Sequence, residues 1–174
     1  MEKRRSTVSK QDIEAALIRL EKVTASSSAP SDVFDEMYSI CEELFGVRLF
    51  SVLLWDPARE AILRVHSSDP DNYPCGVWKP MGLTPWGNRL LKGGEPIKCH
   101  DEQDLRWAFP DAELLISFNY VANLSAPVLR GDEVLGVVSI SETTGHYRDE
   151  DLEVFHRIAQ SLGPAIASVC NTRS

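Results

Sequence analysis

The chain has 174 residues, of which 43% are apolar and 25% charged; this is the composition of a folded domain with its own core, not of a disordered segment. Lys and Arg number 18 against 26 Asp and Glu, a net charge of −8, which excludes a general electrostatic attraction to nucleic acid or to an anionic membrane. No apolar run approaches the roughly 18 residues of a transmembrane helix. The polar start Met1-Glu2-Lys3-Arg4-Arg5 does not read as a secretory signal. A cytoplasmic protein is expected, and Cys41, Cys75, Cys99 and Cys170, with no pair at a two-residue gap, read as reduced thiols.

In chain order, the first ten residues are expected to be polar and frayed. Ile13, Leu17, Leu20 and Val23 then recur at helical spacing and predict an amphipathic helix over 12–24. The stretch Ala25-Ser26-Ser27-Ser28-Ala29-Pro30 breaks it. A second helix is expected from a cap at Ser31 or Asp32, with Val33, Phe34, Met37, Ile40, Cys41, Leu44 and Phe45 as its core stripe and Gly46 as its left-handed cap. Residues 47–55 are dense in β-branched and aromatic side chains and predict a buried strand. The turn Asp56-Pro57-Ala58-Arg59-Glu60 joins it to a second strand over 61–67, an antiparallel hairpin. On that second strand Arg64 and His66 are expected to share a face, with Arg64 toward solvent.

Residues 68–83 read as loop, with Tyr73, Trp78 and Met81 as large apolar members. A short helix is predicted over 86–91, an edge strand over 96–99, and short helices over 101–107 and 111–116. Strands over 121–129 and 133–140, joined at Arg130-Gly131-Asp132, make a second hairpin. Asp149 is expected to cap a final helix of about five turns with a kink at Pro164. Two hairpins and terminal helices predict an α+β fold: an antiparallel sheet, helices on one face, and the irregular middle of the chain crossing over the other. That arrangement leaves room for a pocket between sheet and crossover. The leading helix, extra to the core domain, predicts a homodimer through the terminal helices.

The residues Leu44-Phe45-Gly46, the strand to Trp55, Ser125-Ala126-Pro127-Val128, the turn at 130–132, Val134-Leu135-Gly136-Val137-Val138-Ser139-Ile140 and Tyr147-Arg148-Asp149-Glu150-Asp151-Leu152 stand in the order and spacing of a GAF domain. The chain resembles that family over about residues 31–170, with residues 1–30 as tail and leading helix. The resemblance implies a PAS-related antiparallel sheet of five or six strands with a ligand pocket under the crossover. Many members of that family are regulatory modules inside larger signalling proteins; with no kinase, cyclase, phosphodiesterase or DNA-binding module in this sequence, a free-standing sensor is expected. One enzymatic branch, the free methionine-(R)-sulfoxide reductases, works through pocket cysteines. The matching runs here, 82–87 and 116–119, contain none, and only Cys99 falls near one of that branch's positions. Cys75 lies in a loop but lacks the surroundings of a bilin attachment site.

His66, Cys75, Cys99 and His100 lack metal-ligand spacing, and no phosphate loop, dinucleotide fingerprint or nucleophile elbow occurs; no metal and no cofactor are expected. The ligand-binding candidates are the crossover aromatics Tyr73, Trp78, Trp86 and Phe118, with Asp104, Arg106, Asn119, Asn123, Ser125 and Ser139 to orient a small molecule. Asn123, Ser125 and Ser139 are expected on one sheet face as a floor. Three functions stay open: a non-catalytic small-molecule sensor, a small redox or other enzyme, and an interaction scaffold with its pocket filled by side chains. The ligand and the downstream partner are not named by the residues.

Overall fold

The structure, a computed structural model, describes residues 6–173; Met1 to Arg5, the start of the expected frayed segment, lie outside the described residues. Helix α1 (Lys10–Ser26) begins with a reciprocal cap: the Asp12 amide donates to Ser9 Oγ at 3.1 Å, and the Ser9 amide donates to the Asp12 carboxylate at 2.8 Å. Ser6 and Thr7 are tied down by Arg148, whose guanidinium donates to the Ser6 carbonyl at 3.0 Å. Helix α1 buries Ile13, Ala16 and Leu20 in the same core as helix α2 (Pro30–Leu44). Arg19 joins the two helices, reaching Glu36 at 2.6 Å and Glu43 at 2.7 Å. Helix α2 starts at Pro30, with Ala29 rather than Ser31 or Asp32 in the cap position, because proline is well suited to a first turn. Gly46 takes the left-handed conformation expected of it, at φ +76°.

Strands β1 (Leu49–Asp56) and β2 (Ala61–Ser67) form the first hairpin, and β5 (Ala122–Arg130) and β6 (Glu133–Glu142) the second. Between them run β3 (Trp78–Pro80), a π-helical turn (Gly87–Lys92), β4 (Ile97–Cys99), α3 (Glu102–Ala108) and α4 (Ala112–Ser117). The sheet is antiparallel in the order β3-β2-β1-β6-β5-β4. Strand β3 falls within the stretch expected to be loop; it pairs Trp78, Lys79 and Pro80 with Leu63, Ile62 and Ala61. Three residues ended by a proline carry no alternation to read, and proline confines them to the sheet edge.

The last helical stretch is not one kinked helix. It divides into α5 (Asp149–Ala159), a 3₁₀ turn (Gln160–Leu162) and α6 (Gly163–Asn171). Pro164 stands in the first turn of α6, where a missing N–H costs no helical bond. Arg148 holds the cap position of α5 and its amide donates to Asp151 at 2.8 Å, while Asp149 is in the first turn and pairs with Lys98 of β4.

The period of two along the strands divides the core between the two sheet faces. Phe50, Val52, Leu54, Leu124, Ala126, Val138 and Ile140 pack against the terminal helices; Leu49, Leu53, Ile62, Ile97, Cys99 and Val137 pack under the crossover. One irregularity matters for the site. The register of β1 and β2 shifts between Val52 and Leu53, so Leu53 faces Arg64 while Val52 faces His66. The extra residue turns successive side chains to opposite faces. His66 therefore packs on the helix side, its ring 5.7 Å from those of Phe34 and Phe50, and does not share a face with Arg64 as expected. Arg64 faces the crossover, not solvent.

Candidate functional site

Between the sheet and the crossover lies a cavity of about 50 Å³. Its floor is polar. The Asn123 amide nitrogen on β5 lies 2.9 Å from Ser139 Oγ and 3.0 Å from Ser141 Oγ on β6. Ser125 Oγ donates to the Asn123 side-chain carbonyl at 2.7 Å and accepts from the Trp86 indole at 3.3 Å. Ser51 on β1 accepts from Arg64 Nε at 3.2 Å. These side chains meet because residues at odd positions of three neighbouring strands point to one face.

The walls and roof come from β2 and the crossover: Arg64, Tyr73, Lys79, Met81, Trp86, Phe109, Asp111 and Leu115. Trp86 is fully buried and stacks at a tilt on Phe109, centroids 5.4 Å apart. The Arg64 guanidinium lies 5.1 Å over the Tyr73 ring. Lys79 and Asp111 form an ion pair across the roof. Two buried polar atoms at the cavity have no hydrogen-bond partner, Tyr73 Oη and Asp111 Oδ1. Desolvation pulls the Arg64 pKa down, against the opposing pull of Cys75, Tyr73 and Asp111. Desolvation, reinforced by the Asp111 charge, pushes the Tyr73 phenol up, so it is neutral at physiological pH.

Of the expected site residues, the structure brings Tyr73, Trp86, Asn123 and Ser139 to the cavity, with Ser125 hydrogen-bonded beneath Trp86. The others stand elsewhere. Trp78 is on the edge strand with the Arg59 guanidinium 4.8 Å over its ring. Asp104 accepts from the His100 amide at 2.8 Å, and Arg106 is exposed between Glu102 and Glu113. Phe118 packs edge-on against Tyr73 at 6.2 Å, and Asn119 is an exposed turn residue at φ +59°. Ser51, Lys79, Asp111 and Ser141 also line the cavity and were not singled out. Lys79 and Asp111 belong to loop-like sequence where no periodicity shows which way a side chain points, whereas Ser51 interrupts an apolar strand and so carries a signal in the sequence.

The fold and the cavity together invite comparison with known proteins. The GAF domain family matches residues 27–167. The chain belongs to the GAF domain family. No curated protein sequence matches it. Among solved structures, a GAF domain from a phosphoenolpyruvate-protein phosphotransferase of Coxiella burnetii is similar at a TM-score of 0.76 and 16% identity, over 93% of this chain and 96% of that one. The corresponding Acinetobacter GAF domain gives 0.71 and 19%, over 94% and 96%. The free methionine-R-sulfoxide reductase of Neisseria meningitidis, solved with its substrate, gives 0.67 and 16%, over 99% of both chains. At these identities the likeness is one of fold.

The thiols of this GAF domain are not arranged for reductase chemistry. Cys41 and Cys99 are buried, Cys75 is exposed, and no disulfide joins the cysteines among the described residues. Burial, helped by Asp104 and Asp101, pushes the Cys99 thiol up to about 12, far from the thiolate a nucleophile needs. Among the described residues no cluster of His, Cys, Asp and Glu is placed to hold a metal ion, and no helix is long and apolar enough to cross a membrane. Alkylation of the native protein at pH 8 is expected to modify Cys75 and leave Cys41 and Cys99 untouched, read by mass spectrometry of the digest. Rapid modification of Cys99 would contradict its burial.

Proposed function

We propose that this GAF domain is a non-catalytic sensor that binds a small polar molecule in the cavity between sheet and crossover. The observation that carries the proposal is the cavity's chemistry: a hydrogen-bonded polar floor facing a roof with two buried, unpartnered polar atoms. Buried polar groups are almost always paired in folded proteins, so unpartnered ones on residues that line a cavity call for an occupant. A solidly packed scaffold would have no reason to bury them.

A route from cavity to helices supports the sensor role. Strand β5 lines the cavity with Asn123, and farther along the same strand the Pro127 carbonyl and the Leu129 amide bond the side chain of Gln160, in the turn between α5 and α6, at 2.8 and 3.1 Å. A ligand with higher affinity for one arrangement of the crossover would shift the population of the helix packing through this strand. The terminal helices would carry the output to a second copy or a partner. Exposed Ile18 on α1 and the groove that Leu17 forms with Pro164 favour a homodimer there; sedimentation at micromolar concentration tests it, and a monomer would sink it. Unpaired Cys41, Cys75 and Cys99 accord with a reducing cytoplasmic location.

The test of the pocket is a melting-temperature screen against small polar metabolites of differing charge, on the wild type and on Ser139→Leu, which fills the cavity. At least one compound is expected to raise the wild-type melting temperature and to leave the variant unmoved. Identical behaviour of the two proteins across the panel would overturn the proposal.

A further inference from the structure

Resting on the pocket reading above, we infer that the ligand is a short-chain carboxylate carrying a hydroxyl group, with its carboxylate on Arg64 and Tyr73 and its hydroxyl toward Asp111. The charges at the cavity do not cancel among themselves. Lys79 and Asp111 form an ion pair, and among the described residues no carboxylate is ion-paired with Arg64. Its Nε donates to Ser51, and its two terminal nitrogens make no hydrogen bond among the described residues. An arginine stays charged under all ordinary conditions. Drawing that charge out of water without an anion is costly, and the cost falls when one binds.

Geometry selects the kind of anion. The Arg64 guanidinium is anchored at Nε and held against the face of Tyr73. What remains open is the edge bearing the two terminal nitrogens, a flat fork that matches the two oxygens of a carboxylate. The Tyr73 hydroxyl, 4% exposed as a residue and without a partner, is a second donor at the same cavity. Asp111 Oδ1 accepts nothing in the structure and asks the ligand for a donor; the opposite side chain of the floor, Asn123, has its amide nitrogen already committed to Ser139 and Ser141. Size sets the chain length. The cavity measures about 50 Å³, a fraction of the roughly 150 Å³ that accommodates benzene, so the ligand has two or three carbons unless the crossover moves.

The experiment measures melting temperature and affinity with glycolate and lactate as probes. Acetate, inorganic phosphate, ethylene glycol and ethanolamine are the comparisons, at constant ionic strength. Glycolate or lactate at a hundred times Kd is expected to raise the melting temperature by about 5–10 °C, acetate to bind more weakly, and the others to do little. Arg64→Met is expected to melt at or above the wild type without ligand, since it removes an uncompensated charge, and to lose the response to glycolate and lactate. Tyr73→Phe keeps the ring and is expected to raise Kd about tenfold, the loss of roughly one hydrogen bond to a charged group. Retention of the response in Arg64→Met, or an equal response to ethylene glycol, overturns the carboxylate assignment and leaves the pocket reading standing. A response to phosphate that exceeds lactate overturns it in the same way. No response to any small molecule, in the screen above as well as here, overturns both.

Discussion

Trp86→Ala is expected to lower the stability of the protein by about 3–5 kcal/mol, the range for removing a buried aromatic side chain. Trp86 has no exposed surface and stands at the centre of the crossover's core. Its indole donates to Ser125 in the sheet below at 3.3 Å, and its ring packs on Phe109 beside it. The substitution removes all of these at once and leaves Ser125 facing a void. For a chain of this length the loss corresponds to a fall in melting temperature on the order of 10 °C. The damage should be uneven. Hydrogen exchange is expected to quicken through the crossover and less in α1, α2 and α5, which pack on the opposite sheet face. A loss below about 1 kcal/mol by urea unfolding would show that the crossover contributes little to the fold, and the cavity would then lack a fixed roof.

Gly136→Val is expected to be destabilising for a different reason. Gly136 lies in β6 between Leu54 of β1 and Val128 of β5. A Cβ at this position would stand 2.3 Å from the carbonyl oxygen of Leu53 and 3.3 Å from the Ile166 side chain of α6. The first neighbour is backbone in a strand paired on both sides, so it cannot swing away. Overpacking of a tight core costs about 1–3 kcal/mol and occasionally more. Here the strands would have to separate at the middle of the sheet. Far-ultraviolet circular dichroism on heating checks it; a melting temperature within 2 °C or so of wild type would contradict the close approach.

Much of this architecture was legible in the residues, and what was not has physical reasons. The stripe from Val33 to Phe45, the glycine after it and the two hairpins showed themselves because amphipathic periods of 3.6 and 2 are strong signals over a dozen or more residues. The pairing of Asn123 and Ser125 with Ser139 followed from the same alternation. It failed on β2, where one extra residue reverses the face; a bulge leaves no mark in composition. Alternation alone puts His66 beside Arg64 and turns Arg64 outward; in the structure His66 packs against Phe34 and Phe50, and Arg64 carries the cavity's charge. Lys79 and Asp111 meet across 32 positions of irregular chain, a contact that only the fold creates. Asp104, Arg106 and Asn119 were candidates by polarity alone, and they serve local ends: an amide partner, a surface ion-pair cluster and a left-handed turn.

The leading helix is instructive in the same way. Its short apolar stripe must pack on the domain or on another subunit. Ile13, Ala16 and Leu20 pack into the domain's own core, and Ile18 is the apolar residue of α1 left prominently exposed.

The most direct test of the central claim, that the space under the crossover is where a small molecule binds, uses the tryptophans. Trp86 borders the cavity, while Trp107 is half exposed on α3 and Trp78 lies on the sheet edge. Proton–nitrogen correlation spectra resolve the indole N–H of each as lactate, or any compound that raises the melting temperature, is added. The Trp86 resonance is expected to move to saturation with the same affinity as the thermal effect while Trp107 stays in place. An unmoved Trp86 indole in the presence of a stabilising ligand would contradict it, because binding would then lie outside the cavity.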